Sequence, residues 1–345
     1  MTGLANAVYV RREEMAALEA DMLRETATTP KELIHAHGTL RLYHYLPQTD
    51  TVFRVPLLIV MSIVSKPYIF DLTPGQSFVE HLVRAGFDVY LVDWGVPRSE
   101  HRGLRIDDYV ADLIPECIAQ VQAHSGEREI SLIGYCLGGI FTALHAALHP
   151  DGPTRNLLFL ATPVNAEGMA LQRKLLTTQG LDPDFIVDAL GNIPTPMVEA
   201  AFQLMRPLQK MASQLTLLNN AADPDFVKAH LRIVRWGADA LPLPGETFRQ
   251  LAHDFIMDNK IVRGEFEVRG RKADLGHITV PVLHVVAEHD HVVPTAASRD
   301  LVRLVGSRDK EEIVIKGGHV SLVAGTGAVT RTWPRLVSWL APRSC

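Results

Sequence analysis

The sequence predicts an α/β fold, with a mostly parallel, doubly wound sheet and an inserted, mainly helical cap. Short apolar runs alternate with helical patterns along much of the 345-residue chain, and this alternation is typical of parallel sheets with helices on both faces. Several runs are nearly all apolar, as expected of strands covered on both sides. The alternation stops between about residues 163 and 276, and we interpret this interruption as a cap over the active site.

Seven apolar runs have the length and composition of strands. They lie at about 39–45, 55–63, 87–92, 129–133, 157–161, 280–286 and 311–315. Residues 105–121 carry an apolar stripe at helical spacing, and Pro115 should kink or break that helix. The predicted sheet therefore divides into residues 31–162 and 277–345, on either side of the cap at 163–276.

The N-terminal segment 1–30 is predicted to be helical. Apolar residues recur at helical spacing over about 12–27, before a Thr-Thr-Pro break. This helix could pack on its own domain or on a partner, and the sequence does not distinguish the two. The start of the chain is too polar for a secretory signal peptide.

Composition excludes several functional classes. The net charge is -5 and the 34 Lys and Arg residues are scattered, which argues against nucleic acid as a partner. The longest apolar run, 55–64, is well short of the roughly 20 residues that cross a bilayer. Three cysteines without a short spacing predict neither a disulfide framework nor a structural zinc site. We expect a protein of the reducing cytoplasm.

The motif Gly-Tyr-Cys-Leu-Gly-Gly at 134–139 follows a strand-like run and precedes a helical one. This pattern is a nucleophile elbow, a sharp turn that presents a side chain at the end of a strand, here with cysteine in place of the usual serine. The backbone at Cys136 should be strained. Gly134 and Gly138 should be needed because a Cβ there would clash between strand and helix.

Two further residues complete a catalytic triad in the chain order nucleophile, acid, histidine, which is the order of α/β-hydrolases. Asp290 follows the strand-like run at 280–286, and His319 follows the last run after two glycines. His319 would take the proton of the Cys136 thiol, while Asp290 would orient the imidazole and stabilise its charged form. The sequence thus predicts an α/β-hydrolase fold.

An oxyanion hole is expected from two backbone N–H groups. One belongs to Leu137, directly after the nucleophile, and the other to the loop after the 55–63 strand, most plausibly Val64. The start of a helix next to Cys136 should also favour the thiolate.

Other interpretations of these residues remain open. Glu288 competes with Asp290 as the acid. His289, Asp290 and His291 could together bind a metal, although adjacent loop residues rarely face a common ion. Cys117 lies on an apolar helical stripe and is expected in the core, and Cys345 is expected to be inert. We predict neither a metal nor a cofactor.

With the triad placed, the chain resembles the polyhydroxyalkanoate (PHA) synthases, most closely the short catalytic subunits of the class III enzymes. The similarity extends over nearly the whole length. The motifs that carry it include Val-Asp-Trp-Gly at 92–95, the cysteine elbow, Gly-Asn-Ile-Pro at 191–194, Asp-His-Val-Val-Pro at 290–294 and Gly-Gly-His at 317–319. One departure is Ser65, where the family more often has asparagine, and a backbone donor in that loop would survive the change.

The resemblance implies that Cys136, Asp290 and His319 are the catalytic residues. It also implies a reaction, the transfer of the acyl group of an (R)-3-hydroxyacyl-CoA to a growing polyester with release of CoA. A short acyl chain is expected, with 3-hydroxybutyryl-CoA as the substrate. The short synthases act with a second, non-catalytic subunit, so a hetero-oligomer, together with self-association, is expected at the surface of polyester granules. Coenzyme A is then part of the substrate and not a cofactor.

Two other functions compete with this one. A capped thioesterase or esterase would use the same triad to pass the acyl group to water. A catalytically silent scaffold or granule-binding subunit is the second alternative, and the intact triad order counts against it.

Overall fold

The computed structural model describes residues 26–345 except Gln179 and Leu208. The predicted helix at 12–27 lies almost wholly outside these residues, as does most of the N-terminal segment 1–30.

The core is an eight-stranded sheet in the order β1-β2-β4-β3-β5-β6-β9-β10. Strand β2 pairs antiparallel with both β1 and β4, and the other pairs are parallel. Its strands are β1 Lys31–His37, β2 Leu40–Tyr45, β3 Leu57–Val60, β4 Val89–Asp93, β5 Ile130–Tyr135, β6 Thr154–Leu160, β9 Val282–Ala287 and β10 Lys310–Ile315. The prediction of a mostly parallel, doubly wound sheet is therefore confirmed.

All seven predicted strands occur, but the sequence pattern missed three others. Strand β1 is polar and partly exposed along its length, and its pairing is irregular between Leu33 and His35. An edge strand of this kind lacks the apolar run on which the prediction rests. The other two, β7 Glu267–Val268 and β8 Arg271–Lys272, form a small hairpin within the segment predicted to be mainly helical.

Helices cover both faces of the sheet and fill most of the segment between β6 and β9. They are α1 Phe78–Arg84, α2 Ile114–Ser125, α3 Leu137–Leu148, α4 Ala170–Thr177, α5 Pro183–Leu190, α6 Thr195–Met205, α7 Gln209–Asn219, α8 Pro224–Gly237, α9 Gly245–Gln250, α10 Thr295–Ser298, α11 Leu301–Leu304 and α12 Trp333–Leu340. Shorter helical turns connect several of them.

The helix predicted at 105–121 is interrupted as expected near Pro115. A short turn at Ile106–Asp108 runs into a π-helical turn at Tyr109–Leu113, and regular α-helix begins at Ile114. Helical backbone continues through Leu113 into this helix, and Pro115 cannot donate the hydrogen bond to residue i−4 that a regular α-helix requires. The wide π turn accommodates the change in hydrogen bonding ahead of it.

The apolar core lies in two layers, one on each face of the sheet. Successive residues of β5 alternate between them, so Leu132 packs in one layer and Ile133 in the other. Both side chains are fully buried, and each such burial contributes about 1.5–3 kcal/mol. Strands buried on both faces hold the carboxyl ends of the sheet, where the elbow lies, in fixed positions.

A short seam joins the segment between β6 and β9 to the loop after β3. The N–H of Leu241 donates to the carbonyl of Val64 at 3.0 Å, and Ser65 forms a single antiparallel bridge with Ala240. The indole N–H of Trp236 adds a 2.8 Å hydrogen bond to the carbonyl of Lys66. This seam brings α8 over the carboxyl ends of the strands.

Within the described part of the chain, none of the helices combines the length and the apolar character that crossing a membrane requires.

The close contact of Gly138 with the end of β3 yields a stability prediction. We expect Gly138→Ala to lower the free energy of unfolding by about 1–3 kcal/mol, the usual cost of overpacking, because a Cβ there would overlap the backbone carbonyl oxygens of Val60 and Met61. Gly103→Ala is the matched control, since a Cβ at Gly103 meets nothing within 4 Å. Chemical denaturation measures both variants, and equal stabilities would contradict the prediction.

Candidate active site

Cys136 lies at the turn between β5 and α3, with the backbone conformation that an elbow requires. Its φ is 55° and its ψ is -120°, an unfavourable region for a residue with a Cβ. The N–H of Cys136 donates to the carbonyl of Leu160 at 3.0 Å, which fixes the turn against β6. The side chain therefore stands at the carboxyl end of the sheet, next to the N-terminus of α3.

The elbow glycines permit close packing around this turn. A Cβ at Gly134 would overlap the Thr142 side chain, and one at Gly138 would overlap the carbonyl of Val60. A Cβ at Gly139 would overlap Thr162. Because these positions lack side chains, α3 contacts both β3 and the end of β6 directly.

Asp290 and His319 form a buried pair beside the elbow. Nδ1 of His319 donates to Oδ2 of Asp290 at 2.7 Å. The other carboxylate oxygen, Oδ1, accepts hydrogen bonds from the backbone N–H groups of Val292 and Val293, each at 2.8 Å. With both oxygens occupied, the carboxylate of Asp290 is held in one orientation.

Charge at His319 is set by its neighbours. Burial lowers the pKa of His319, but the negative charge and hydrogen bond of Asp290, together with a hydrogen bond to the Cys136 side chain, raise the pKa to about 10. Near neutral pH the imidazole therefore holds its proton when the thiol is ionised. The three predicted triad side chains are thus brought together, in an arrangement that can form a thiolate–imidazolium pair.

Tyr135 is a site residue that the sequence analysis missed. Its ring lies 4.9 Å from the His319 ring, measured between centroids, and its hydroxyl donates to the His319 carbonyl at 3.5 Å. Burial raises the pKa of Tyr135 well above its ordinary value, so the phenol stays neutral. The variable position of the elbow motif carries this residue, and the motif gives no signal of its role.

Two residues of the segment above the sheet pack on the face that carries the site. Arg206, just after α6, lies beside Gly318, and its buried Nε finds no hydrogen-bond partner among the described residues. Burial lowers the pKa of Arg206 although Asp290 attracts its charge. Trp236 belongs to the same buried apolar cluster as Cys136. Neither residue stands in a motif, so only the folded chain reveals them.

The expected oxyanion donors lie on two elements that pack together. Leu137 begins α3, where a backbone N–H has no intrahelical acceptor. Val64 is buried in the loop after β3, and the contact of Gly138 with the carbonyls of Val60 and Met61 brings the end of β3 next to the elbow. The roles of both N–H groups stay predictions.

The alternative residues are placed differently. The Glu288 side chain is 54% exposed and the His289 side chain 59%, whereas Asp290 is only 5% exposed. His291 is exposed as well, so the two histidines point to solvent while the aspartate points to His319. Cys117 is buried in the core, where burial raises the pKa of its thiol to about 12, and Cys345 is exposed.

Comparison with known proteins identifies the family. Residues 69–326 match the family described as alpha/beta hydrolase fold, and residues 6–82 match the N-terminus of poly-beta-hydroxybutyrate polymerase (PhaC). A poly(3-hydroxyalkanoate) polymerase subunit PhaC of Allochromatium vinosum is 36% identical over 92% of this chain and 90% of its own length. The chain belongs to the PhaC family. The resemblance inferred from the cysteine elbow is confirmed.

A second PhaC relative matches the chain over a still larger share of its length. The PhaC subunit of Haloferax mediterranei is 35% identical, covering 98% of this chain and 69% of that protein. Similarity to both PhaC proteins therefore extends over nearly the whole chain.

Solved structures support the fold of this PhaC-family chain. A putative lipase from Sulfolobus solfataricus superposes with a TM-score of 0.58 and 17% identity, covering 90% of this chain and 97% of the other. MenH from S. aureus gives a TM-score of 0.53 at 16% identity, covering 90% and 100%. At such low identity these neighbours show only that the fold is shared. The predicted α/β-hydrolase fold is confirmed.

The carboxylate pair yields a prediction about thiol reactivity. We expect Asp290→Asn to slow alkylation of Cys136 by iodoacetamide at pH 7 by about tenfold or more. Removing the charge lowers the pKa of His319, so the proton returns to the thiol, and each unit of pKa changes the thiolate fraction about tenfold. The measurement follows the alkylation rate by mass spectrometry between pH 6 and pH 9.

Two further substitutions make this experiment specific. All variants carry Cys345→Ser because Cys345 is exposed and would also react. Glu288→Gln serves as the matched control, because it neutralises an exposed carboxylate on the same loop. An unchanged rate in Asp290→Asn, or an equal loss in Glu288→Gln, would contradict the assignment of Asp290 as the acid.

Proposed function

We propose that this PhaC-family chain polymerises (R)-3-hydroxyacyl-CoA into poly(3-hydroxyalkanoate), with Cys136 carrying the acyl group as a thioester. The observation that carries the proposal is the buried Asp290–His319 pair beside a strained cysteine, in a chain whose relatives are named poly(3-hydroxyalkanoate) polymerase subunits.

Acylation would begin with attack of the Cys136 thiolate on the carbonyl carbon of the substrate thioester. The new carbon–sulfur bond forms, the bond to coenzyme A breaks, and the leaving thiolate takes the proton from His319. The backbone N–H groups of Leu137 and Val64 would bind the oxyanion that forms between these steps. One thioester replaces another, so the step needs no external energy source and no cofactor.

Chain growth would use the same histidine as a base. His319, now neutral, removes the proton from the 3-hydroxyl group of the next acyl unit, and that oxygen attacks the acyl carbon held on Cys136. The new carbon–oxygen bond forms, the carbon–sulfur bond to Cys136 breaks, and the cysteine leaves as a thiolate. The product is an oxoester, which is more stable than the thioester it replaces. The thiol recovers its proton from His319, and Asp290 stabilises the imidazolium in between.

Competition from water decides between polymerisation and hydrolysis. The residues of the proposed triad are 5–9% exposed, and Trp236 of α8 packs in the same apolar cluster as Cys136. An apolar, closed site favours a bound hydroxyl group over bulk water as the acceptor. We therefore assign the segment 163–276 as a cap that shields the acyl-enzyme and admits substrate when it opens.

The proposed substrate is short, with 3-hydroxybutyryl-CoA as the first choice. The proposed assembly contains a second, non-catalytic subunit and more than one copy of this chain, in the cytoplasm at the granule surface. Support for a partner comes from the word subunit in the relatives' names. The predicted helix at 12–27 remains a candidate contact for that partner.

A product assay tests the function. Purified protein is supplied with (R)-3-hydroxybutyryl-CoA, with and without a co-expressed partner subunit, and both CoA release and the acyl product are followed. We expect CoA release to accompany a polyester that resists extraction into water. Free 3-hydroxybutyrate as the sole product under both conditions would overturn the polymerase in favour of a thioesterase.

Substitution of the nucleophile tests the covalent step. We expect Cys136→Ala to reduce CoA release by at least about 10³-fold, because removing a covalent nucleophile leaves only binding and oxyanion contributions. Cys345→Ser, which changes an exposed thiol, should retain full activity. Thermal unfolding verifies that both variants fold, and peptide mass spectrometry of quenched wild-type reactions should find the acyl group on Cys136. An acyl group on another residue would refute this role.

A further inference from the structure

A cluster of metal-ligating side chains lies away from the proposed active site. Glu32 on β1, His44 on β2 and His124 near the end of α2 converge there, with their ligand atoms all within 4.8 Å of one another. His44 pairs with Tyr90, near the amino end of β4. Since Cys136 follows the carboxyl end of β5, which runs in the same direction as β4, the cluster lies towards the opposite end of the sheet.

The spacing of these atoms fits a tetrahedral ion. Oε1 of Glu32 lies 3.0 Å from Nδ1 of His44 and 3.5 Å from Nε2 of His124. In a tetrahedral zinc site with bonds of about 2.0–2.1 Å, neighbouring ligand atoms are about 3.3 Å apart. Both distances are close to that value, so an ion could enter with small shifts of the Glu32 side chain.

The outward-facing nitrogens of both histidines are already held. Nε2 of His44 is hydrogen-bonded to Oδ1 of Asp88 at 2.8 Å, and Nδ1 of His124 is hydrogen-bonded to the hydroxyl of Tyr90 at 2.8 Å. Metal-binding histidines are normally fixed in this way by a carboxylate or another polar group on the second nitrogen. The nitrogens that remain are the ones that face Glu32.

We propose that Glu32, His44 and His124 bind a divalent metal ion of the zinc class, with water in the remaining position. Two imidazoles and one carboxylate suit such ions. The side chains of Glu32 and His124 are 52% and 35% exposed, which leaves a path from solvent, while His44 is 9% exposed. The ion would join β1 and β2 to α2, and its role would be structural.

A neighbouring cluster provides a matched control. His35 and His37 on β1 contact Glu116 of α2 at 2.7 and 2.8 Å, through different carboxylate oxygens. It joins the same strand to the same helix, but its three ligand atoms do not form a group as close as the first. Among the residues that the structure describes, only the Glu32 cluster brings three such ligand atoms within 4.8 Å of one another.

Zinc titration tests the proposal. The protein carries Cys136→Ala and Cys345→Ser so that neither the active-site thiol nor the exposed one binds zinc, and it is treated with EDTA and dialysed. Calorimetric titration with zinc chloride should then give one site per chain. Zinc should also raise the melting temperature, and X-ray absorption should report two nitrogens and oxygen at about 2.0 Å.

Variants in the same background locate the ion. Asp88→Asn, which changes a residue that orients His44 from outside the ligand set, should weaken zinc binding by about 10–100-fold. Glu32→Gln and His124→Gln each remove a ligand and should weaken it further, whereas Glu116→Gln should leave the affinity unchanged. Melting temperatures measured in EDTA verify that the variants fold.

Three results would overturn the proposal. Absence of zinc binding in the Cys136→Ala, Cys345→Ser protein would show that the cluster is only a hydrogen-bonded group. Affinity unaffected by Glu32→Gln and His124→Gln would place any zinc elsewhere. An equal loss in Glu116→Gln would assign it to the neighbouring cluster or to both.

Discussion

The close approach of α3 to the sheet is the constraint on which the rest of the site depends. Gly138 lies against the carbonyls of Val60 and Met61, and Gly139 lies against Thr162, so the helix begins in contact with two strands at once. This contact forces the backbone of Cys136 into its unfavourable conformation. It also brings the loop after β3 beside Cys136, so one packing arrangement positions both the thiol and the loop that carries the expected Val64 donor.

Charge in the site is controlled by burial together with pairing. A buried histidine without a partner would lose its proton, yet the negative charge and the hydrogen bond of Asp290 reverse that effect on the pKa of His319. Asp290 can exert this influence because two backbone N–H groups occupy its second oxygen. The acid loop after β9 and the histidine loop after β10 thus depend on each other, and neighbouring parallel strands set their separation.

The sequence was a good guide where a residue's role follows from local pattern. The buried parallel strands, the break near Pro115 and the elbow all have signatures that packing reinforces. Strand β1 was missed because an exposed edge tolerates polar residues. Arg206 and Trp236 were missed for another reason: their positions above the sheet depend on how distant helices fold over it, which no short motif encodes. Tyr135 lay within the motif, but at the position where the motif permits any residue.

The seam between Val64 and Leu241 links the geometry of the loop after β3, which carries the expected Val64 donor, to the position of the helices above it. A movement that lifts α8 and breaks the hydrogen bond at 3.0 Å would release the loop carrying the Val64 N–H as well. Under the proposed mechanism, water would then enter the open pocket while the Val64 N–H is out of position to bind the oxyanion. Hydrolysis of the acyl-enzyme would be slow in the open form, and chain elongation would be fast in the closed form. The growing ester would thus be protected kinetically, without a separate element that excludes water.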